Sequence, residues 1–380
     1  MKSKQWLLLF FVLLFAGMGG YMAINYYVDP LGYFAVEKGT EHYQADQYVR
    51  AIKTKYVTRN NDQIDALVVG GSKAGALDTE LLTEYTGKNY YNFYSNVGNF
   101  SDYKTYIEYM IKNSYVSEIT LHLSSFEVDY YRGGTAGTMK VPAIVSGNTW
   151  DQITETLGYL LTDIKTLRKN YNKIKKWNVE TLDVTSVGER NRLSAYRKFA
   201  KTPEKYTYNN VTKNLNSCLK KMFSQEASTR PAYDDNLNAL REIKALCDEN
   251  NITLKVVIGA SFIGERDTYE CSRYYAYLKE LVSITDVWDF SSFSDINMNP
   301  YNFMNRKHYN TAVADLMINT MYGKDSFDGF GIYLTQDNID DYLKQRKSDF
   351  ERLKEEFEST GTLALPDMND KSYIAAVELD

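Results

Sequence analysis

The chain has 380 residues and a formal net charge of −5, with acidic and basic residues mixed along its length. It is long enough for one large domain or two small ones, and it lacks the basic arm or RNA-binding motif of a nucleic-acid-binding protein. The cysteines are far apart and form no CxxC pair, which disfavours a zinc site or a disulfide framework but leaves one extracytoplasmic pair open; they are Cys218, Cys247 and Cys271.

The amino terminus, residues 1–24, is predicted to be a membrane anchor. Lys2 and Lys4 precede an uncharged run from Trp6 to Ile24. As a helix this run reaches roughly 28 Å, close to the thickness of a bilayer core. The lysines predict a cytoplasmic amino terminus and an extracytoplasmic remainder at the cell membrane. A cleaved signal peptide is the alternative, although the run is long for one.

Beyond the anchor we predict a partly helical stem over residues 25–60 and an α/β domain over 61–325. Alternation of strands and helices favours a three-layer αβα sandwich with a mostly parallel central sheet. The predicted strands are 66–70, 90–94, 118–124, 253–259 and 285–290. The predicted helices are 72–86, 101–113, 234–249, 268–282 and 311–322.

Residues 134–230 interrupt this alternation and are predicted to be a helical insertion. Within it, residues 151–177 carry apolar residues at helical spacing and end in a basic run comprising Lys165, Arg168, Lys169, Lys173, Lys175 and Lys176. Such a run can approach anionic lipid or polymer, but a solvated helix face is the commoner meaning of the pattern. Residues 326–380 are predicted to form a long charged helix and a loose tail.

The segment DALVVGGSKAGALD, residues 65–78, places Ser72 directly after the first predicted strand. Ligands of parallel sheets bind beyond the carboxyl ends of the strands, and the glycines permit a sharp turn and close approach of the backbone. A helix beginning near Ser72 would also direct free N–H groups towards an anion. The same pattern is typical of an ordinary turn with a helix-capping serine, so GGS alone does not decide.

A serine nucleophile needs a base, and the chain has three histidines. His42 lies in the stem, before the sheet. His122 alternates with leucines inside a predicted strand, which favours a structural role. His308 lies in a loop expected at the carboxyl edge of the sheet, just before the helix 311–322. It is therefore the predicted partner of Ser72.

Four segments in this order resemble the SGNH hydrolase superfamily: LVVGGSKAGALD, YYNFYSNVGNFSDYKTYIEYMI, ITLKVVIGASF and NRKHYN. The chain is most similar to the membrane-anchored, cell-envelope branch, which includes alginate O-acetyltransferase-like and D-alanyl-lipoteichoic acid transfer proteins. The stem phrase NYYVDPLGYF also resembles that branch. The resemblance covers roughly residues 25–325, without much of 134–230, and implies an SGNH or flavodoxin-like fold.

This resemblance implies a serine acyl esterase or O-acyltransferase that acts on a cell-surface polysaccharide or teichoic acid. It also implies a membrane-bound acyltransferase as a partner, and no metal or organic cofactor. Ser72 matches the nucleophile and His308 the histidine of the last block. Gly98 resembles the glycine whose backbone N–H serves the oxyanion hole, to which the N–H groups after the first strand, including that of Lys73, would add.

Two positions depart from the family pattern. The third block, LHLSSFEVDYY, lacks the expected asparagine, for which Asn96 is a candidate substitute. The last block has Asn305 where the family has the aspartate of Asp-x-x-His. An amide can orient the imidazole but adds no charge, and in a serine triad this exchange lowers turnover by roughly 10⁴, about 5 kcal/mol of barrier.

The sequence therefore leaves several possibilities open for the chemistry of this site. The site works as a slow Ser–His dyad, or another carboxylate, Asp289 or Asp295, reaches the imidazole. A non-catalytic binding or assembly module of the cell envelope is the alternative from another functional class. Transfer of D-alanine from a carrier-bound thioester to teichoic acid is a third hypothesis.

Overall fold

The structure is a computed structural model that describes residues 3–38, 49–96, 98–124, 141–175, 189–224, 233–265 and 272–366. The chain divides into two compact units. The first unit combines Met1–Arg59 with Thr135–Asn191, and the second combines Asn60–Gly134 with Arg192–Asp380.

The helices and strands are numbered in chain order. The α-helices are α1 (Ser3–Val28), α2 (Ala35–Lys38), α3 (Val49–Arg59), α4 (Thr79–Thr86), α5 (Phe100–Asn113), α6 (Ala143–Ser146), α7 (Thr149–Leu160), α8 (Ile164–Lys175), α9 (Arg192–Lys201), α10 (Pro203–Thr207), α11 (Leu215–Ser224), α12 (Tyr233–Glu249), α13 (Ser272–Ile284), α14 (Asp295–Met298), α15 (Thr311–Met321) and α16 (Ile339–Thr360). The strands are β1 (Ala66–Gly70), β2 (Tyr90–Tyr94), β3 (Glu118–Leu123), β4 (Thr253–Ile258), β5 (Val287–Asp289), β6 (Phe303–Asn305), β7 (His308–Tyr309) and β8 (Ile332–Leu334).

The first unit contains α1, which is long and apolar enough to cross a membrane. The carboxyl end of α1 packs on α7, and the Tyr21 hydroxyl and the Asn25 amide both donate to the carbonyl of Thr162, just after α7. The predicted helical stretch 151–177 is divided into α7 and α8. Part of the stem lies beside them, where Tyr33 and Phe34 pack with aromatic and apolar residues of α3 and α7.

The second unit is built on a six-stranded sheet with the order β2-β1-β3-β4-β5-β8. The strands are parallel except β8, which runs antiparallel to β5. This confirms the predicted α/β class and the mostly parallel sheet. The continuous apolar run of β1 is buried throughout, as expected for a strand covered on both faces. Gly70, at the carboxyl end of β1, lies opposite Tyr94 of β2 and His122 of β3.

Helices of the second unit form two packed sets. In one set α12 packs on α5 and α13, and α13 packs on α16. In the other set α15 packs on α4 and α9. The first set includes α5, whose inward face carries Tyr103, Tyr106, Ile107 and Met110, as the helical spacing of the sequence predicts.

Two predicted boundaries of the α/β domain differ from the structure. The helix predicted over 72–86 begins only at Thr79, because Asp78 accepts the N–H groups of Glu80 and Leu81 and caps α4 there. The segment before it is a turn and a short 3₁₀ helix, Ala74–Ala76. The sheet domain also extends past the predicted end at residue 325, since β8 pairs with β5.

The predicted insertion 134–230 divides between the units, because residues up to Asn191 belong to the first and α9–α11 to the second.

Several predicted features lie outside the described residues: His42, Cys271, the start of the helix predicted over 268–282, and most of the third family block after Ser124. Cys218 and Cys247 are free thiols.

Candidate active site

A tightly packed turn presents Ser72 at the carboxyl end of β1. A Cβ atom on Gly70 would lie 2.5 Å from the carbonyl oxygen of His122, so only glycine fits there. The Asn92 amide of β2 donates to the carbonyls of Ala74 and Leu77, at 2.8 and 3.2 Å, and so fixes the far side of the turn. Ser72 is left half-buried on a rigid support.

The hairpin β6–β7 presents Asn305 and His308. The Asn305 side-chain oxygen accepts the backbone N–H groups of Lys307 and His308, at 2.9 and 3.1 Å. This is the local turn chemistry that asparagine and aspartate share. Because two N–H donors face this oxygen, the orientation of the amide is fixed: a flipped amide would direct its NH₂ group at them.

The turn and the hairpin meet at a Ser–His–Asn array. The Ser72 Oγ lies 2.7 Å from the His308 Nε2. The His308 Nδ1 lies 3.1 Å from the Asn305 side-chain oxygen. Since that oxygen can only accept, Nδ1 carries the proton and Nε2 has the free lone pair that faces the serine hydroxyl. The two residues predicted as nucleophile and base are therefore within hydrogen-bonding distance, in the tautomer that a general base needs.

A second hydrogen bond joins the residues that follow Ser72 and His308. The Tyr309 hydroxyl donates to the carbonyl of Lys73 at 3.1 Å, and lies 2.8 Å from the Nε2 of His122. Because the single hydroxyl proton goes to Lys73, the His122 Nε2–H must donate to the Tyr309 oxygen. Gly259 permits this contact, since a Cβ there would lie 2.2 Å from the His122 Nε2.

His122 is a buried, neutral member of this network. Burial, assisted by the positive charge of Lys73, lowers the pKa of His122 to about 3. The Lys73 ammonium group itself is buried and pairs with Glu265 at 2.9 Å, with the Ser261 hydroxyl at 3.2 Å. Lys73 therefore directs its charge inward, while its carbonyl accepts the hydrogen bond from Tyr309.

The predicted oxyanion donors differ in their surroundings. The Gly98 N–H donates to the carbonyl of Ser95 at 3.2 Å, so it belongs to the turn after β2. Asn96 lies in the same turn. The Ser72 N–H donates no hydrogen bond to any residue that the structure describes. The backbone N–H of Ser72 is thus the best-placed donor at the carboxyl edge of the sheet for an anion that forms beside the Ser72 hydroxyl.

The carboxylates considered as substitutes for the missing acid have other positions. Asp289 is fully buried and binds the Tyr342 hydroxyl at 2.5 Å and Arg346 at 3.2 Å. Its other oxygen accepts the Ser291 N–H at 2.7 Å. Asp295 begins α14. The group placed on the His308 Nδ1 is the amide of Asn305, so the departure from Asp-x-x-His is a feature of the site itself.

A cluster of aromatic residues, not predicted from the sequence, packs on the hairpin β6–β7. Aromatic residues of α9, Tyr196 and Phe199, pack with Tyr301 and with Met304 of β6. Arg306, between Asn305 and His308, contacts the Cys218 thiol of α11. The aromatic residues of α9 at helical spacing are the only sequence signal for this packing, and nothing in the sequence links them to the last block.

Tyr309 was also not predicted from the sequence, although it directly follows His308.

Within the described ranges, no group of three or more His, Cys, Asp or Glu side chains is arranged to hold a metal ion. Comparisons with protein-family models, with curated proteins and with solved structures gave no match to this chain.

Proposed function

We propose that this protein is a membrane-anchored serine acyl esterase or O-acyltransferase that acts outside the cytoplasm. The observation that carries the proposal is the 2.7 Å contact between Ser72 Oγ and the unprotonated Nε2 of His308. A nucleophile, a base and a group that orients the base, in this order, form the arrangement that acyl transfer through serine requires.

In this mechanism Ser72 attacks the carbonyl carbon of an acyl donor while its proton passes to His308 Nε2. The N–H of Ser72 donates to the oxyanion of the tetrahedral intermediate. His308 then gives its proton to the leaving group, and an acyl-serine remains. Water or an acceptor hydroxyl, deprotonated by His308, attacks this ester and releases Ser72. Asn305 holds the imidazole throughout without neutralising its charge.

The wider setting of the proposal rests on the sequence resemblance. It comprises a three-layer αβα sandwich of the SGNH type, α1 as a single-pass anchor with a cytoplasmic amino terminus, and a surface polysaccharide or teichoic acid as acceptor. A membrane-bound acyltransferase would be the partner that supplies the acyl group, and D-alanine transfer is the variant in which a thioester is the donor. The resemblance implies no metal or organic cofactor.

The test uses the full chain in detergent. We expect a serine-directed fluorophosphonate probe to label the protein and p-nitrophenyl acetate to be hydrolysed, and both signals to be lost in Ser72→Ala. The matched control is Ser101→Ala, an exposed serine of α5, which should retain both. Equal labelling and equal rates for the wild type and Ser72→Ala would contradict the proposal.

A non-catalytic envelope module is the second candidate, and the amide at position 305 favours it. An amide does not stabilise the imidazolium that forms when His308 takes the serine proton, so the barrier stays high. For this candidate, neither the wild type nor Asn305→Asp would react with the probe, while binding of polymer to the protein would be measurable and independent of Ser72.

A further inference from the structure

Helix α7 carries apolar residues on two faces. Its half-buried face holds Gln152, Glu155 and Thr156 together with Tyr159 and Leu160, which pack on Tyr33 and Phe34. Its exposed face and the start of α8 carry large apolar side chains, namely Trp150 (69 % exposed), Ile153 (45 %), Leu157 (38 %), Leu161 (43 %) and Ile164 (58 %). We call these five residues the apolar ridge. A surface helix of a soluble domain normally has a polar outer face.

The apolar ridge lies beside the end of the helix that can cross a membrane. Tyr21 and Asn25 of α1 donate to the carbonyl of Thr162, which lies between Leu161 and Ile164. The exposed Trp and Tyr side chains of α1 lie towards its two ends, with Trp6 at one and Tyr26 and Tyr27 at the other, while the exposed aromatic residues between them are phenylalanines. Aromatic residues at such positions are typical of the membrane–water interface. In a membrane crossed by α1, the contact with Thr162 would bring the ridge to the level of one interface.

The next helix supplies charge of one sign. Helix α8 exposes Lys165, Arg168, Lys169 and Lys175, at the three- and four-residue spacing of one helix face. Apolar side chains next to a row of cations are the composition of helices that lie in the plane of an anionic membrane surface.

We propose that the apolar ridge lies in the headgroup region of the membrane that α1 crosses, with the basic face of α8 on anionic lipid headgroups. The first unit then has two attachments to one bilayer, a span and a surface helix. The ridge is buried in lipid, which removes the cost of exposing it to water. This inference depends on α1 as an anchor but not on the chemistry of Ser72.

The test compares two labelled positions on α7 in the full chain, with the three native cysteines replaced. An environment-sensitive NBD label is attached at Ile153→Cys or at the matched control Asp151→Cys, which is exposed and about 200° away around the helix. The protein is reconstituted in phosphatidylcholine vesicles with or without phosphatidylglycerol. Carbonate washing first checks that the chain stays bound to the vesicles, so failure of the anchor is recognised separately.

We expect lipids brominated near the headgroup to quench the label at 153 about twofold more than the label at 151, and aqueous iodide to show the reverse. Phosphatidylglycerol should increase the difference, and Lys165→Gln with Arg168→Gln and Lys169→Gln should remove that increase. Equal quenching at the two positions would overturn the proposal. So would protection of position 153 from iodide without quenching by lipid, which would indicate a protein covering.

Discussion

Replacement of Asn305 by aspartate is predicted to increase the activity of the site. The structure already has the geometry for it, because the side-chain oxygen accepts the His308 Nδ1–H at 3.1 Å and two backbone N–H groups. An aspartate of the same shape keeps all three hydrogen bonds. What changes is the charge beside the imidazolium that forms as Ser72 attacks.

The size of the rate increase depends on how exposed Asn305 and His308 are to solvent. Two opposite charges about 4 Å apart attract by about 1 kcal/mol in bulk water and about 4 kcal/mol near a protein surface. Because Asn305 is exposed and His308 half-buried, we expect the aspartate to lower the barrier by about 1–3 kcal/mol, which is roughly a 5- to 150-fold increase in kcat/KM. This is below the roughly 10⁴-fold effect of the corresponding exchange in a protease triad.

The assay is p-nitrophenyl acetate hydrolysis by the full chain, measured over pH. Because a carboxylate favours the protonated imidazole, the acidic limb of the profile should move to higher pH in Asn305→Asp. The gain must vanish in Ser72→Ala, and the exposed control Asn209→Asp, with the same change in net charge, should leave the rate unchanged. An unchanged or lower rate at every pH in a folded Asn305→Asp protein would refute this account of the site.

Three further predictions concern the buried network behind the site. Tyr309→Phe leaves the His122 Nε2–H and the Lys73 carbonyl without the hydroxyl; it should cost about 1–3 kcal/mol in urea unfolding and lower kcat. In the folded protein the pKa of His122 is lowered to about 3, so its imidazole stays neutral above that pH. In the unfolded chain the same imidazole takes up a proton below about pH 6.5. His122 should therefore lower the unfolding free energy by up to about 1.4 kcal/mol per pH unit between pH 6.5 and 3, and urea titrations should show that His122→Gln lacks this contribution. Lys73→Met leaves the Glu265 carboxylate buried without its ammonium partner and should cost about 3–5 kcal/mol; thermal melts should show recovery when Glu265→Gln is added.

The sequence was sufficient for the elements whose patterns are local. The apolar run at 66–70 and the helical spacing over 101–113 both specify their structures without help from distant residues, and the structure has them within one residue. The helix expected from Ser72 begins later, also for a local reason: the Asp78 side chain accepts the N–H groups of Glu80 and Leu81 and caps the helix that begins at Thr79.

Contacts across long sequence separations were predictable only where chemistry restricted the choice. With three histidines in the chain, and one of them in a loop at the expected sheet edge, Ser72 had one good partner, 236 residues away. No such restriction exists for Lys73, whose partner Glu265 is one of many acids, or for β8, a strand of three residues. Tyrosine is abundant in this composition, so Tyr309 carried no signal of its own.

Two consecutive pairs of residues explain how the site keeps its geometry with an amide at position 305. Ser72 meets His308, and Lys73 meets Tyr309 through a hydrogen bond that does not involve the reacting atoms. In a triad the acid both positions the imidazole and stabilises its charge. Here Asn305 and the Tyr309 bridge supply the positioning, whereas position 305 carries a neutral amide in place of the carboxylate. Loss of the Tyr309 hydroxyl should therefore loosen the Ser72–His308 contact, and a carboxylate at 305 should leave that contact unchanged while it accelerates the reaction.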